Sequence, residues 1–549
     1  MFTLSPDLRG CFLLEGAAPS APYVQRYTLE SRTTDRFKVG AEPIINYSPR
    51  LACIGATPFP PRIPAQMNLF KPSALWIFLA LVGLVAVAVY KARRARPGGF
   101  KDVLKNPQEY LEALGSAEQD HQRALAEANA WTDQQLAARV RHFVLEVRSS
   151  READAEKRLL VALGSRSHTA VIALLGDTTL RERLVIPTGE NLLPEAPVHR
   201  ACMLLEGNTP AACIPVVAPF MDAAEAEVRK SAALVLGESG HVDAAPQLRK
   251  GLADTDEYVR SYVLMGLKRA RERQALSPEC AAALFPDIQR LLAEGKNADD
   301  AATLLLELDR DQASAFLLSD AVFSPPSREL HQMIAALTAA GVSVPRQRVL
   351  SGIEPLRAKE LKYPETYLLR ELLHALGGHR APADRPLLES MLSHPDETVV
   401  EGAAAGLLSS HGLSDFESRL WQREEQSGYA ALTAPQRLYG AIRACDGEIR
   451  NGGLSQYFFN SSGDAWKDAL TGFEVMGLTE HAQILRQAVA MFGSAGPSTD
   501  REKRMNQLSR ISRKNDSTFD ALDTRYYASK ESLSAQSARY VIQNTEAFK

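Results

Sequence analysis

The 549-residue chain is poor in the residues from which metal centres and nucleophilic active sites are built. It has six cysteines, Cys11, Cys53, Cys202, Cys213, Cys280 and Cys445, and no CxxC pair among them. Its eleven histidines form no HExxH and no Cys/His cluster, so neither a structural zinc site nor a zinc protease is supported. No glycine turn is followed by Lys and Ser or Thr at the spacing of a phosphate-binding loop. Aromatic residues make up only 7%. A large excess of one charge is also missing. The net charge of -3 excludes a globally basic nucleic-acid binder and a globally acidic decoy. No cofactor and no metal are expected.

What the chain does have is local charge asymmetry. Residues 1–99 carry a net +7, residues 100–414 a net -10, and residues 415–549 hold 17 acidic and 17 basic side chains. The positive end contains one long apolar run, SALWIFLALVGLVAVAVY, residues 73–90, without a single charge. As a helix it would span about 27 Å, near the lower limit for crossing a bilayer. Trp76 and Tyr90 suit the two interfaces, and Lys91, Arg93, Arg94 and Arg96 follow at once within a basic linker, 91–99. Basic residues stay on the cytoplasmic side, so this cluster fixes the expected topology. One helix anchors the protein, in a bacterial inner membrane, with the C-terminal bulk in the cytoplasm. Residues 1–66 hold nine prolines and no persistent period. They are expected to be either disordered or not part of the working protein, with translation starting at Met67.

From residue 100 the pattern becomes helix after helix: an entry segment at 100–150, then a repeat over 151–412. Val198-His199-Arg200, Val228-Arg229 and Val259-Arg260 recur at steps of 30 and 31, each opening a helix rich in small residues. Asp222 and Asp254 stand just before, where they are expected to cap or turn. A related pair returns over 367–412, without the Val-Arg signature, and the period is blurred between 271 and 366. This pattern resembles HEAT repeats, particularly the short form seen in bilin-lyase-type proteins. The resemblance implies an all-α solenoid whose stacked helix pairs close one continuous core. Arg200, Arg229 and Arg260 then read as repeat-structural residues. The acidic balance favours a basic protein partner and disfavours nucleic acid.

After Gly412 the repeat stops. The informative segment is Asn451-Gly452-Gly453-Leu454-Ser455-Gln456-Tyr457-Phe458-Phe459-Asn460-Ser461-Ser462-Gly463-Asp464. Asn-Gly-Gly permits a positive φ. Leu454 to Phe459 reads as a short buried helix, with Tyr457 and Phe458 in the core. Ser461 and Asp464 are expected to cap the helix around 465–476. With P-x-x-D-R at 497–501 and FDALDTRYY at 519–527, the segment resembles the DNA-mimic-protein-like family. That resemblance, over about 413–549, implies a helical, non-enzymatic domain whose named member copies DNA with an acidic surface and binds a transcription factor. A mimic needs carboxylates spaced like phosphates, and the balanced charge here puts that role in doubt. The residues read first as structural. The functional alternative is a polar rim of Gln456, Asn460 and Asp464 that receives a partner segment, with Asn451, Gly452, Gly453, Ser461, Ser462 and Gly463 around it.

The expectation from sequence is therefore an all-α protein: a transmembrane helix, a HEAT-like solenoid and a small helical domain. Together they form a non-catalytic interaction scaffold or adaptor, regulatory or related to toxin immunity. Two rivals stand beside it. One is a bilin-lyase-like enzyme, for which no nucleophile–base pair can be placed. The other is an acidic DNA mimic that binds a transcription factor.

Overall fold

The computed structural model describes residues 119–147, 150–186, 195–324, 326–515 and 517–549. The apolar run at 73–90, the basic cluster at 91–96, residues 1–66 and the first part of the entry segment lie outside them. The described residues are helical, with no β-strand. No single helix among them is long and apolar enough to cross a membrane.

The helices of the middle region stand side by side in one long row. In chain order the row consists of α1 (Pro197–Met203), α2 (Ala226–Ser239), α3 (Glu257–Glu272), α4 (Ala298–Leu308), α5 (Leu330–Ala339), α6 (Glu365–Gly378) and α7 (Glu397–Ser410), each packed on the next. Helices Ala245–Leu252, Pro278–Ala293, Arg346–Ile353 and Arg385–Met391 lie between successive members and form a second layer. α2 packs against α1, α3 and the helix Ala245–Leu252. From Ser231 to Ser239 every residue of it is buried. Leu, Val and Ala side chains from the whole row make one continuous core, as a stack of pairs that cannot each close a core alone requires.

Glycine sets the closest approaches. A Cβ on Gly237 would lie 2.9 Å from the Cα of Gly266, and one on Gly377 would lie 1.9 Å from the carbonyl oxygen of Gly406. The backbones of α2 and α3, and of α6 and α7, thus touch where both helices lack a side chain. Of the two aspartates expected to cap or turn, Asp254 turns the chain and neither caps a helix. Asp222 pairs with Lys250, and Asp254 accepts the Asp256 N–H in the turn. The residue that caps α3 is Asp256, whose carboxylate accepts the N–H groups of Tyr258 and Val259. Asp396 does the same for α7, from Thr398. Only a cap two or three residues before the first free N–H can reach it, and Asp222 and Asp254 stand too early.

The terminal region has its own aromatic core, with Phe416, Tyr439, Tyr457, Phe458, Phe473 and Tyr526 all buried. Between the helix Phe416–Ser427 and the short C-terminal helix Thr545–Phe548 it contains α8 (Ala434–Phe459), α9 (Trp466–Val475), α10 (Thr479–Ala490), α11 (Arg501–Lys514), α12 (Asp520–Ala528) and α13 (Leu533–Gln543). The last of these joins the two cores. Ala535 and Ala538 enter the core of the row, against α7, while Leu533, Tyr540 and Val541 enter the terminal core. At the seam Ser532 donates to Glu397 Oε1 at 2.8 Å.

Candidate functional site

The Asn-Gly-Gly motif breaks a helix. Within α8, Gly452 (φ -157°, ψ 22°) and Gly453 (φ 78°, ψ -179°) leave helical geometry, and the chain resumes as a helix at Leu454. Gly453 needs a left-handed φ that other residues adopt at a cost. Such a break frees carbonyls on the first arm and N–H groups on the second, and these must find partners. α12 supplies them. Tyr527 donates its hydroxyl to the Ile449 carbonyl at 2.6 Å. Asp523 accepts the Leu454 N–H at 2.8 Å. Tyr526 donates to Asp446 Oδ1 at 3.0 Å, the oxygen that also accepts from Arg450. The FDALDTRYY segment is therefore the clamp on the break. Burial raises the pKa of Asp523, opposed by the Leu454 N–H and reinforced by Asp520. The start of the second arm, where a helix would favour an anion, is already occupied by this carboxyl.

Polar side chains of the second arm and the turn after it converge on Glu448. Gln456 Nε2 donates to Glu448 Oε2 at 2.7 Å, Asn460 Nδ2 to the same oxygen at 2.9 Å, and Ser462 Oγ to Oε1 at 3.1 Å. The end of this arm is closed by Arg504, which is fully buried. Its guanidinium donates to the carbonyls of Phe458 (2.8 Å), Asn460 (2.8 Å) and Ser498 (2.7 Å), and to Asp464 Oδ1 at 2.6 Å. Arg501 adds a bond to the Phe459 carbonyl. Cations at a helix C-terminus complement its exposed carbonyls. Gly463 lies under this knot, since a Cβ there would be 2.6 Å from the Tyr457 carbonyl oxygen.

The motif residues thus divide. Gln456, Asn460 and Ser462 belong to the Glu448 network, and Asp464 belongs to Arg504. The single rim of Gln456, Asn460 and Asp464 expected from sequence is two networks. The expected caps are corrected as well. α9 starts without a side-chain cap, because Asp464 is drawn to the buried guanidinium, while Ser461 is exposed. Asn451 and Gly452 are exposed at the break. Tyr457 and Phe458 are both fully buried, and the Phe458 ring lies 4.7 Å from that of Phe492. Burial holds the Tyr457 hydroxyl and the neighbouring Cys445 thiol well above their ordinary pKa values. Sequence reasoning did not single out Glu448, Arg504, Asp523 or Tyr527. The available signal was an unpaired demand: a helix broken at glycine needs an acid and a donor from elsewhere.

The three repeat arginines have different partners. Arg229 makes a two-pronged pair with Asp254, at 2.7 and 3.0 Å, and donates to the carbonyls of Ala223 and Ala224 just before its own helix. Burial alone would raise the Asp254 pKa, but the Arg229 fork and the Asp256 N–H outweigh it and hold the carboxyl below its ordinary value. Arg260 repeats the arrangement one step later, on the carbonyls of Asp254 and Thr255 and on Asn297 Oδ1. Arg200 is only 2% exposed and donates to the Val147 carbonyl at 2.6 Å, with Nε and Nη2 buried and unpaired. The four described cysteines are buried core residues, and burial lifts the thiol of Cys280 to about 11. No group of three His, Cys, Asp or Glu side chains able to hold a metal ion occurs among the described residues.

Comparison with known proteins agrees with this division. No curated protein and no solved structure is significantly similar to the chain. Two family models do match: one of HEAT repeats over residues 197–278, and one described as DMP19-like protein over residues 430–544. The first covers α1 to α3 and the start of the next pair, and the second spans the broken helix with both its clamps. The chain carries HEAT repeats followed by a C-terminal DMP19-like domain.

Proposed function

We propose that the chain is a non-catalytic adaptor that holds protein partners along its row of helices and is tethered to a membrane through residues 73–90, with the bulk of the chain in the cytoplasm. The observation that carries the reading is the continuity of the row. Seven helices of the middle region and α13 of the terminal domain share one core, which makes an extended, rigid surface of the kind HEAT repeats offer to other macromolecules. The net charge of -10 over residues 100–414 gives that surface a preference for a basic partner.

The terminal domain stiffens and closes this assembly in our reading. A mimic of DNA would need its carboxylates turned outward. Here Asp446, Glu448, Asp464 and Asp523 are engaged by Tyr526, Gln456, Arg504 and Leu454 respectively. Purification of the tagged full chain from detergent-solubilised membranes tests the proposal. A stoichiometric protein partner is expected, lost when residues 195–412 are removed. The chain should also stay in the membrane pellet after an alkaline wash and leave it when residues 73–90 are deleted. A chain that extracts freely and retains no specific partner overturns the reading.

A further inference from the structure

Helix α11 of the terminal domain has one covered face and one open face. Arg504, Met505, Leu508, Ser509 and Ser512 are buried, where the helix packs on α8 and on the turn Ser461–Ala465. Lys503, Asn506, Arg510, Arg513 and Lys514 are exposed. The even count of 17 acidic and 17 basic side chains in residues 415–549 conceals this helix. Its 14 residues hold six cations and a single acid, Glu502. Arg501 and Arg504 are spent on the carbonyls at the end of the broken helix. The other four cations all lie on the open side.

Three of these cations form a line. At about 100° per residue, Lys503, Arg510 and Lys514 fall within about 40° of one another and run along about 16 Å of the helix, while Glu502 lies about 100° to the side of Lys503. Lys503 meets Asp500 at 3.7 Å in an exposed pair, its own side chain 77% exposed. The side chains of Arg510 and Lys514 make no ion pair or hydrogen bond with the described residues. The helix dipole favours a cation in the last turn, such as Lys514, but Lys503 in the first turn works against it. The helix contains no aromatic residue on which a nucleic-acid base could stack. A straight, convex line of cations instead matches a flat surface of negative charge.

We infer that the open face of α11 docks on the anionic lipid headgroups of a membrane, through Lys503, Arg510 and Lys514. The occupant follows from charge complementarity and from the strength such a contact can reach. Each cation beside an anionic lipid surface contributes about fivefold in partition, so three contribute about a hundredfold. That is weak for a free protein and sufficient for one held nearby, because a tether raises the effective concentration of its second contact to about millimolar. The inference therefore deepens the tethered reading: residues 73–90 hold the chain at the bilayer, and α11 lays the terminal domain, which closes the row, against the same surface.

The test is flotation with vesicles of three parts phosphatidylcholine to one part phosphatidylglycerol, at low salt. It uses the chain with only residues 73–90 deleted, which keeps every described residue and leaves the apolar run out of the measurement. That chain is expected to float with these vesicles and not with phosphatidylcholine alone. Lys503→Ala, Arg510→Ala and Lys514→Ala combined should lower the partition about hundredfold, with the thermal midpoint followed in parallel to show that the variant is folded. The basic cluster at 91–96 is common to both chains, so their difference reads α11 alone. Lys296→Ala, Arg328→Ala and Arg357→Ala combined remove the same charge from exposed cations of the middle region and should leave the partition unchanged. Equal flotation of the α11 variant and its parent overturns the inference, and so does an equal loss in the control, which would mean net charge without a site. Binding of a single-stranded oligonucleotide that depends on the same three cations, with no flotation on the anionic vesicles, makes nucleic acid the occupant and overturns it too. The tether is judged separately, by the alkaline wash of the full chain: flotation that depends on α11 stands even if the full chain leaves the pellet, and loss of the α11 effect leaves the tether untouched.

Discussion

Replacing Arg504 by methionine is the sharpest test of the knot at the end of the broken helix. The guanidinium is fully buried and makes four hydrogen bonds, three to carbonyls and one to Asp464. Methionine keeps most of the volume and removes all four donors. A buried acceptor left unmatched costs about 1–3 kcal/mol, but some of these carbonyls can reach water after relaxation. The expected loss is therefore about 3–5 kcal/mol, the range for breaking a buried charged group away from its partners. Asp464 makes an instructive contrast. Its side chain is 48% exposed, so it is solvated with or without the arginine. Asp464→Asn keeps an acceptor and should cost about 1 kcal/mol or less. Arg504→Lys should fall between the two, since an ammonium cannot reach carbonyls set in a fork. Thermal unfolding followed by near-UV circular dichroism reads the series, and hydrogen exchange at residues 458–460 localises it. At roughly 4 °C per kcal/mol for a domain of this size, the methionine variant should unfold well over ten degrees earlier and the asparagine variant within a few degrees of wild type. If Arg504→Met lies within 1 kcal/mol of wild type, or Asp464→Asn is as damaging, the carbonyls are not what the arginine is there to satisfy.

Gly377→Ala places a Cβ 1.9 Å from the Gly406 carbonyl oxygen, whereas Gly378→Ala meets nothing within 4 Å. The first should cost several kcal/mol and the second should be neutral or mildly stabilising, by thermal denaturation of the two variants side by side. Gly453→Ala combines a φ of 78° with a contact of 2.5 Å to Asp523 and should lose about 2 kcal/mol or more, while Asp523→Ala, which removes only the cap, should lose about 1 kcal/mol. Glu371 carries a pKa raised to about 7, by burial first. The protonated form is then favoured by folding. No penalty applies below the ordinary carboxyl pKa, a penalty grows as pH rises towards 7, and above that it is complete, on the order of 3 kcal/mol. Urea unfolding from pH 4.5 to 8 should show this decline in wild type and a flatter profile in Glu371→Gln; parallel profiles would refute it.

The row of helices was legible where its period was regular. Val198, Val228 and Val259 lie one step apart, and the family model of HEAT repeats matches there. The blurred stretch has a physical cause. The helices of the row start at residues 197, 226, 257, 298, 330, 365 and 397, so the steps are 29, 31, 41, 32, 35 and 32. The extra length of the longest step is taken up by the 16-residue helix Pro278–Ala293, which stands where the preceding step has the 8-residue helix Ala245–Leu252, and it shifts the apolar register without interrupting the stack. The terminal motif was legible as a motif, and its glycines as backbone positions. Its partners were not, because Asp523 and Arg504 meet it from 69 and 46 residues away and no local pattern encodes that pairing. The cap positions failed for the opposite reason. Asp464 obeys a local rule for capping, yet a buried guanidinium in need of an anion outbids an N–H that water can reach.

The placement of α13 bears on what the terminal domain does for the row. The last helix of a stack ends with one apolar flank uncovered, and solenoids close that flank with an atypical element. Here α7 presents Val399, Val400, Ala403 and Ala404, all buried, and α13 packs against it through Ala535 and Ala538. Small side chains on both sides let the two backbones come close, as the glycines do between α6 and α7. The other flank of α13 is held by Leu533, Tyr540 and Val541 in the terminal core. That core is fixed by the clamp on the broken helix and by Phe548, which sits against Phe416 and Tyr439 while Arg419 takes its carbonyl. The polar atoms of the glycine motif are thus committed to holding the helix that closes the stack.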